Sequence, residues 1–137
     1  MQIEWHRCAS YDDAKEFSRV VYLHEWDGKP FYWGAIPESF FGGHKRTRGD
    51  LTATGRYTNG YRHWIEGCLK HGGCLYIGVP ETNTVECIEG IEAYLILTYP
   101  SEMNRKMPTQ CGDITLLHTG DVPLSLRQVD QSTPTPR

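Results

Sequence analysis

Residues 86–99 read ECIEGIEAYLILTY and are followed by Pro100. Wound as an α-helix from about Glu86, this stretch places Ile88, Ile91, Leu95, Ile96 and Tyr99 on one stripe. At 100° per residue Glu92 falls between Ile96 and Tyr99, inside the stripe. A carboxylate aimed at a core costs several kcal/mol unless a partner or a cation satisfies it. Glu92 is therefore a candidate metal ligand, and a salt bridge would answer the same need. Twelve residues further on stands Asn104.

Upstream, two strand-like runs flank Asp27-Gly28, a turn signal. Val20–Trp26 is rich in β-branched and aromatic residues, and Phe31–Ile36 reads as the returning strand. Pro30 is tolerable because it precedes the ladder. A turn centred near Asp27 sets Tyr22 and Tyr32 opposite each other on one sheet face. His24 alternates onto that face, and Trp33 is expected to pack within the sheet.

Gln2–Arg7 forms a short strand, and Ser10 caps a helix running to about Arg19. Residues 37–60 form a long loop with a helical turn around Glu38–Phe41. A helix over Tyr61–His71 turns Tyr61, Trp64, Ile65, Cys68 and Leu69 to the core, and Gly72-Gly73 stops it. Cys74–Val79 is a further core strand and Ile114–His118 a last edge strand. The tail from Gly120 is expected to be loose. The pattern is α+β, a small, mostly antiparallel three-stranded sheet flanked by helices. It makes a single domain over residues 1–119, with a core over 20–104 and an N-terminal extension over 1–19.

Composition bounds the function. At 137 residues, with 23% charged and 39% apolar residues, the chain is one soluble domain in size. The sequence shows neither a membrane span nor a signal peptide, so the cytoplasm is the expected compartment. Five scattered cysteines argue against a disulfide framework, and Cys68, His71 and Cys74 lack a second pair of zinc-finger type. The net charge of −3 hides an asymmetry. Residues 44–62 carry Lys45, Arg46, Arg48, Arg56 and Arg62 against the single acid Asp50, which fits an anionic ligand on one face.

The triplets Val20-Val21-Tyr22 and Tyr32-Trp33-Gly34, Glu92 and Asn104 in this order resemble the GIY-YIG nuclease domain. Leu69-Lys70-His71-Gly72 ahead of a strand is similar to homing-endonuclease members. The likeness covers roughly Val20–Asn104. It implies hydrolysis of phosphodiester bonds, in double-stranded DNA rather than RNA, with one Mg²⁺ or Mn²⁺ held by Glu92. Tyr32 would take the proton from the attacking water, and Tyr22 would hold that water or the phosphate. Asn104 would position the metal-side loop or serve the structure, and His63 and Arg46 are further candidates for holding substrate.

The chain departs from the family at the arginine. The resemblance implies an Arg on a helix soon after the second triplet, with His or Tyr four residues later. Gly42 stands ten residues after Tyr32, and none of Arg46, Arg48 and Arg56 has His or Tyr four residues on. Arg56 and Arg62 share the candidacy. A non-catalytic nucleic-acid-binding module and a protein-interaction protein are the alternatives on the same fold. With no separate recognition domain, sequence specificity would come from the 37–60 loop or from a homodimer.

Overall fold

The computed structural model describes residues 1–41, 59–104, 108 and 114–127, with the side chains of all but Ser39 and residues 59–62. The element order is β1 (Gln2–Cys8), α1 (Tyr11–Ala14), β2 (Ser18–Trp26), β3 (Lys29–Phe40), α2 (Asn59–Lys70), β4 (Gly73–Pro80), α3 (Val85–Thr98) and β5 (Leu117–Gly120). They build an α+β domain on one sheet of order β3-β2-β4-β1-β5. Its first four strands are antiparallel neighbours, and β5 runs parallel to β1.

Among the described residues the sheet is thus five-stranded and mixed, not three-stranded. The N-terminal strand is no appendage, because Ile3 and Trp5 pair with Pro80 and Gly78 of β4 and are fully buried. Gly78 is where they fit: a Cβ there would run into the Trp5 and Ile3 side chains.

Alternation along the strands divides the core in two. On one face Val21, Leu23, Trp33, Trp5 and Tyr76 pack against Ile88, Ile91, Leu95, Ile96 and Tyr99 of α3. On the other Val20, Tyr22, Ile36, Leu75 and Ile77 pack against Ile65 of α2 and against Tyr11 and Ala14 of α1. The helix over 85–98 forms as its sequence dictates, with the Thr84 side chain accepting from the Cys87 N–H at 3.2 Å.

The hairpin closes on Asp27-Gly28, both at positive φ (57° and 74°), the primed turn that matches strand twist. Other boundaries differ from the sequence expectation. Ser10 caps α1 through the Asp13 N–H, but the helix ends at Ala14, and Arg19, expected near its end, lies in β2 with a left-handed backbone (φ 57°). No helical turn forms around Glu38–Phe41; β3 runs to Phe40, paired with Ser18. Trp64, expected in the core, is 38% exposed.

The expected loose tail is the largest correction. Residues 121–127 return to the sheet, ending in a helical turn over 124–127, with Leu126 fully buried in the α3-side core. The buried carboxylate of Glu25 accepts from the Ser125 N–H at 2.7 Å and the Ser125 hydroxyl at 2.6 Å. Residues 128–137 lie outside the described residues.

Candidate functional site

The hairpin brings the two tyrosines together. The two-residue turn and a bulge between His24 and Glu25 set Tyr32 opposite His24 and Gly34 opposite Tyr22. Tyr22 and Tyr32 are therefore diagonal neighbours on one face, with ring centroids 6.1 Å apart, and not directly opposed as the turn position alone implied. Gly34 has a steric role: any Cβ there would lie inside the Tyr22 ring, so the missing side chain is what lets the phenol fold across the strand. Phe41 meets Tyr22 edge-on at 5.0 Å, and the tyrosine is 2% exposed. Tyr32 is half-buried.

His24 completes this face. It stands edge-on to Tyr22 at 5.8 Å and to Trp64 at 4.8 Å, is 2% exposed, and has no hydrogen-bond partner at Nε2 among the described residues. Burial lowers its pKa to about 4, so the ring is neutral at pH 7. Sequence alternation placed it on the Tyr22 face. Nothing in the sequence foretold the depth of its burial, which Trp64 supplies from α2.

Glu92 lies elsewhere. It is half-buried on α3, the helix that covers the opposite face of the sheet from Tyr22 and Tyr32. Among the described residues it makes no hydrogen bond and no ion pair, so the salt bridge that would have satisfied it is not found there. Burial first, and the neighbouring Glu89 second, raise its pKa above the usual carboxylate value. Also among the described residues, no group of three or more His, Cys, Asp or Glu side chains comes together. A lone carboxylate with free oxygen lone pairs still suits a hard dication that keeps most of its waters.

Asn104 joins the two halves. Its Oδ1 accepts from the Trp33 N–H at 2.8 Å and its Nδ2 donates to the Trp33 carbonyl at 2.9 Å. The Ser101 hydroxyl donates to the same Oδ1, and the Met103 N–H donates to the Phe31 carbonyl at 3.0 Å. The segment leaving α3 is thereby laid along the outer edge of β3, beside Tyr32. Trp33 adds a further tie, donating from Nε1 to the Tyr99 carbonyl at 2.8 Å.

Of the basic candidates, His63 is exposed on α2, on the side away from buried Ile65. Arg62 belongs to α2 by its backbone, while its side chain, and the whole of Arg46 and Arg56, lie outside the described residues. Cys8, Cys68, Cys74 and Cys87 are free thiols, and among the described residues no helix is long and apolar enough to cross a membrane.

Comparison with family models, with curated proteins and with solved structures returns no match for this chain.

Proposed function

We propose that the chain is a divalent-metal-dependent endonuclease of GIY-YIG type, hydrolysing phosphodiester bonds in nucleic acid and DNA in preference to RNA. The observation that carries this reading is the Asn104–Trp33 clamp, which ties the helix bearing Glu92 to the strand bearing Tyr32. Asn104 thus links the end of α3, which carries Glu92, to β3, which carries Tyr32.

The chemistry follows from the groups present. Glu92 would hold the single Mg²⁺ or Mn²⁺, which when bound supplies charge neutralisation and Lewis acidity at a phosphate oxygen. Because α3 and the tyrosines occupy opposite faces, the proposal needs a phosphate that reaches both around a border of the sheet, and the β3 side, which carries Tyr32, is the one it calls for. Tyr32, half-buried on that side, would take the proton of the attacking water. A phenol with a pKa of about 10 needs neighbouring positive charge to do so at neutral pH. The basic segment 44–62, from which Arg56 or Arg62 would come, leads into α2 on the tyrosine face.

The separation of Glu92 from the tyrosine face also favours a second reading, a nucleic-acid-binding module without catalysis. Incubating plasmid and single-stranded RNA with the protein under Mg²⁺, Mn²⁺ and EDTA separates the two. The nuclease reading requires metal-dependent cleavage that Glu92→Ala and Tyr32→Phe each abolish. Salt-dependent binding without cleavage leaves only the module.

A further inference from the structure

At the tip of the hairpin a surface cavity of about 480 Å³ is lined by Trp26, Asp27, Lys29, Phe31 and Glu102. We infer that it is a stacking pocket for an unpaired nucleobase, so that the substrate presents a single-stranded, flapped or flipped-out nucleotide. This rests on the nucleic-acid reading above and narrows it.

The pocket is built on fixed elements. Trp26 and Lys29 are the last cross-strand pair before the two-residue turn, so their positions follow from the tightest part of the hairpin. Phe31 meets Trp26 at 5.8 Å and is backed by Trp64 in a stacked contact at 6.3 Å, interplanar angle 24°. Trp64 in turn sits edge-on against buried His24. Glu102 comes from the segment that Asn104 and Met103 pin to β3. All five lining residues thus belong to segments held by their own hydrogen bonds or ring contacts, which lowers the ordering cost of binding.

The lining matches one nucleotide. Trp26 remains 36% exposed, an unusual state for the largest apolar side chain, and with Phe31 it offers flat π-surface of the kind on which bases stack. Asp27 and Glu102 are acceptors for exocyclic amino and ring N–H groups on a base edge. Lys29 offers a cation to the adjoining phosphate. A paired base exposes neither its face nor its Watson–Crick edge, so a duplex interior cannot occupy the pocket. Phe31 directly precedes Tyr32 on β3, so the pocket adjoins the half-buried tyrosine.

The test is binding in EDTA, where cleavage plays no part. A short single-stranded DNA oligonucleotide is compared with an abasic chain of equal length and charge. Base-bearing DNA should bind between about fivefold and a hundredfold more tightly, with quenching of tryptophan fluorescence. In Trp26→Ala that preference should collapse towards unity. Phe31→Leu, which keeps apolar bulk beneath Trp64 but removes the flat ring, should reduce it as well. Equal binding of the two chains, or an unchanged preference in both variants, overturns the pocket. Quenching by a trimethyl-lysine peptide with none by the oligonucleotide also overturns it, in favour of a cation cage. Base preference without cleavage under any metal keeps the pocket and removes the nuclease. Cleavage without base preference removes the pocket alone.

Discussion

The side-chain amide of Asn104 pairs with both backbone polar groups of Trp33, at 2.8 and 2.9 Å, as a neighbouring strand would. Among the described residues β3 is an edge strand, and an unpaired edge is both an energetic and an aggregation liability. Asn is suited to the task because its amide carries a donor and an acceptor side by side. Asn104→Ala removes both bonds, with an expected loss of about 1–3 kcal/mol in chemical unfolding. Asn104→Asp keeps the acceptor for the Trp33 N–H but sets an anion against the Trp33 carbonyl, and it should be no better than alanine. Stability unchanged in both variants would mean that water replaces the clamp without cost.

This contact also shows how far the sequence can be read. The spacing from Glu92 marked Asn104 as special, yet its partner is 71 residues away and invisible to any local pattern. The same holds for Ser125 and Glu25, separated by 100 residues, which turn an apparently loose tail into a packed one. Local chemistry was legible where it alone decides: the Asp27-Gly28 turn, the Ser10 cap and the apolar stripe of α3. It misled where a neighbour decides. Residues 37–40 lack strand character, and the pairs Ile36–Val20 and Phe40–Ser18 hold the two ends of this stretch to β2. The tyrosine pair was legible as a pair. The side of the sheet on which α3 would lie was not, because either crossover leaves the same periodicity in the sequence.

Gly34 is predicted to be intolerant of any side chain. A methyl group there would occupy the space of the Tyr22 ring, which is itself held edge-on by Phe41. The ring cannot swing away without opening the α2-side core. Gly34→Ala should therefore cost about 1–3 kcal/mol, the overpacking range. In the double variant with Tyr22→Ala the cost of the Gly34→Ala step should shrink sharply. An additive double mutant, each change costing its full amount, would show that the two positions do not touch.

Removing residues 121–137 tests the packed end of the chain. The truncation deletes Leu126 from the core and removes both donors of the Glu25 carboxylate, the Ser125 N–H and hydroxyl. Losing a fully buried leucine costs about 2–5 kcal/mol, a large part of the stability of a domain of this size. Stopping at Arg127 should leave the melting temperature within a few degrees of the full chain. Equal stability of the two truncations would show that Ser125 and Leu126 contribute little.

His24 should make the fold acid-sensitive. Its folded pKa, lowered by burial to about 4, lies below the 6.5 of an exposed imidazole. Between these values the unfolded chain takes up a proton that the native state refuses, so stability is full above pH 6.5 and falls towards pH 4. The linkage amounts to about 2 kcal/mol by pH 5. His24→Phe, which fills the same space among Tyr22 and Trp64, should remove that part of the slope in denaturant titrations at pH 7 and pH 5. The carboxylates contribute equally to both proteins and cancel in the difference. Identical slopes would mean that His24 becomes charged in the folded state.

Glu92 offers the sharpest separation of stability from activity. Burial and Glu89 raise its folded pKa above 4.5, so the native state holds this proton more tightly than the unfolded chain. Its contribution to stability is therefore largest at low pH and is lost as pH rises from 4.5 through the folded value. At pH 7 the carboxylate is a burden on the fold, and Glu92→Gln should raise the melting temperature. Added Mg²⁺ or Mn²⁺ should raise the melting temperature of the parent protein by binding the native state, and should leave that of Glu92→Gln unmoved. A residue kept at a cost to the fold, and relieved by a dication, is what a metal ligand requires. If Glu92→Gln is less stable at pH 7, or if metal shifts both proteins alike, the carboxylate serves the fold and the metal-dependent mechanism loses its anchor.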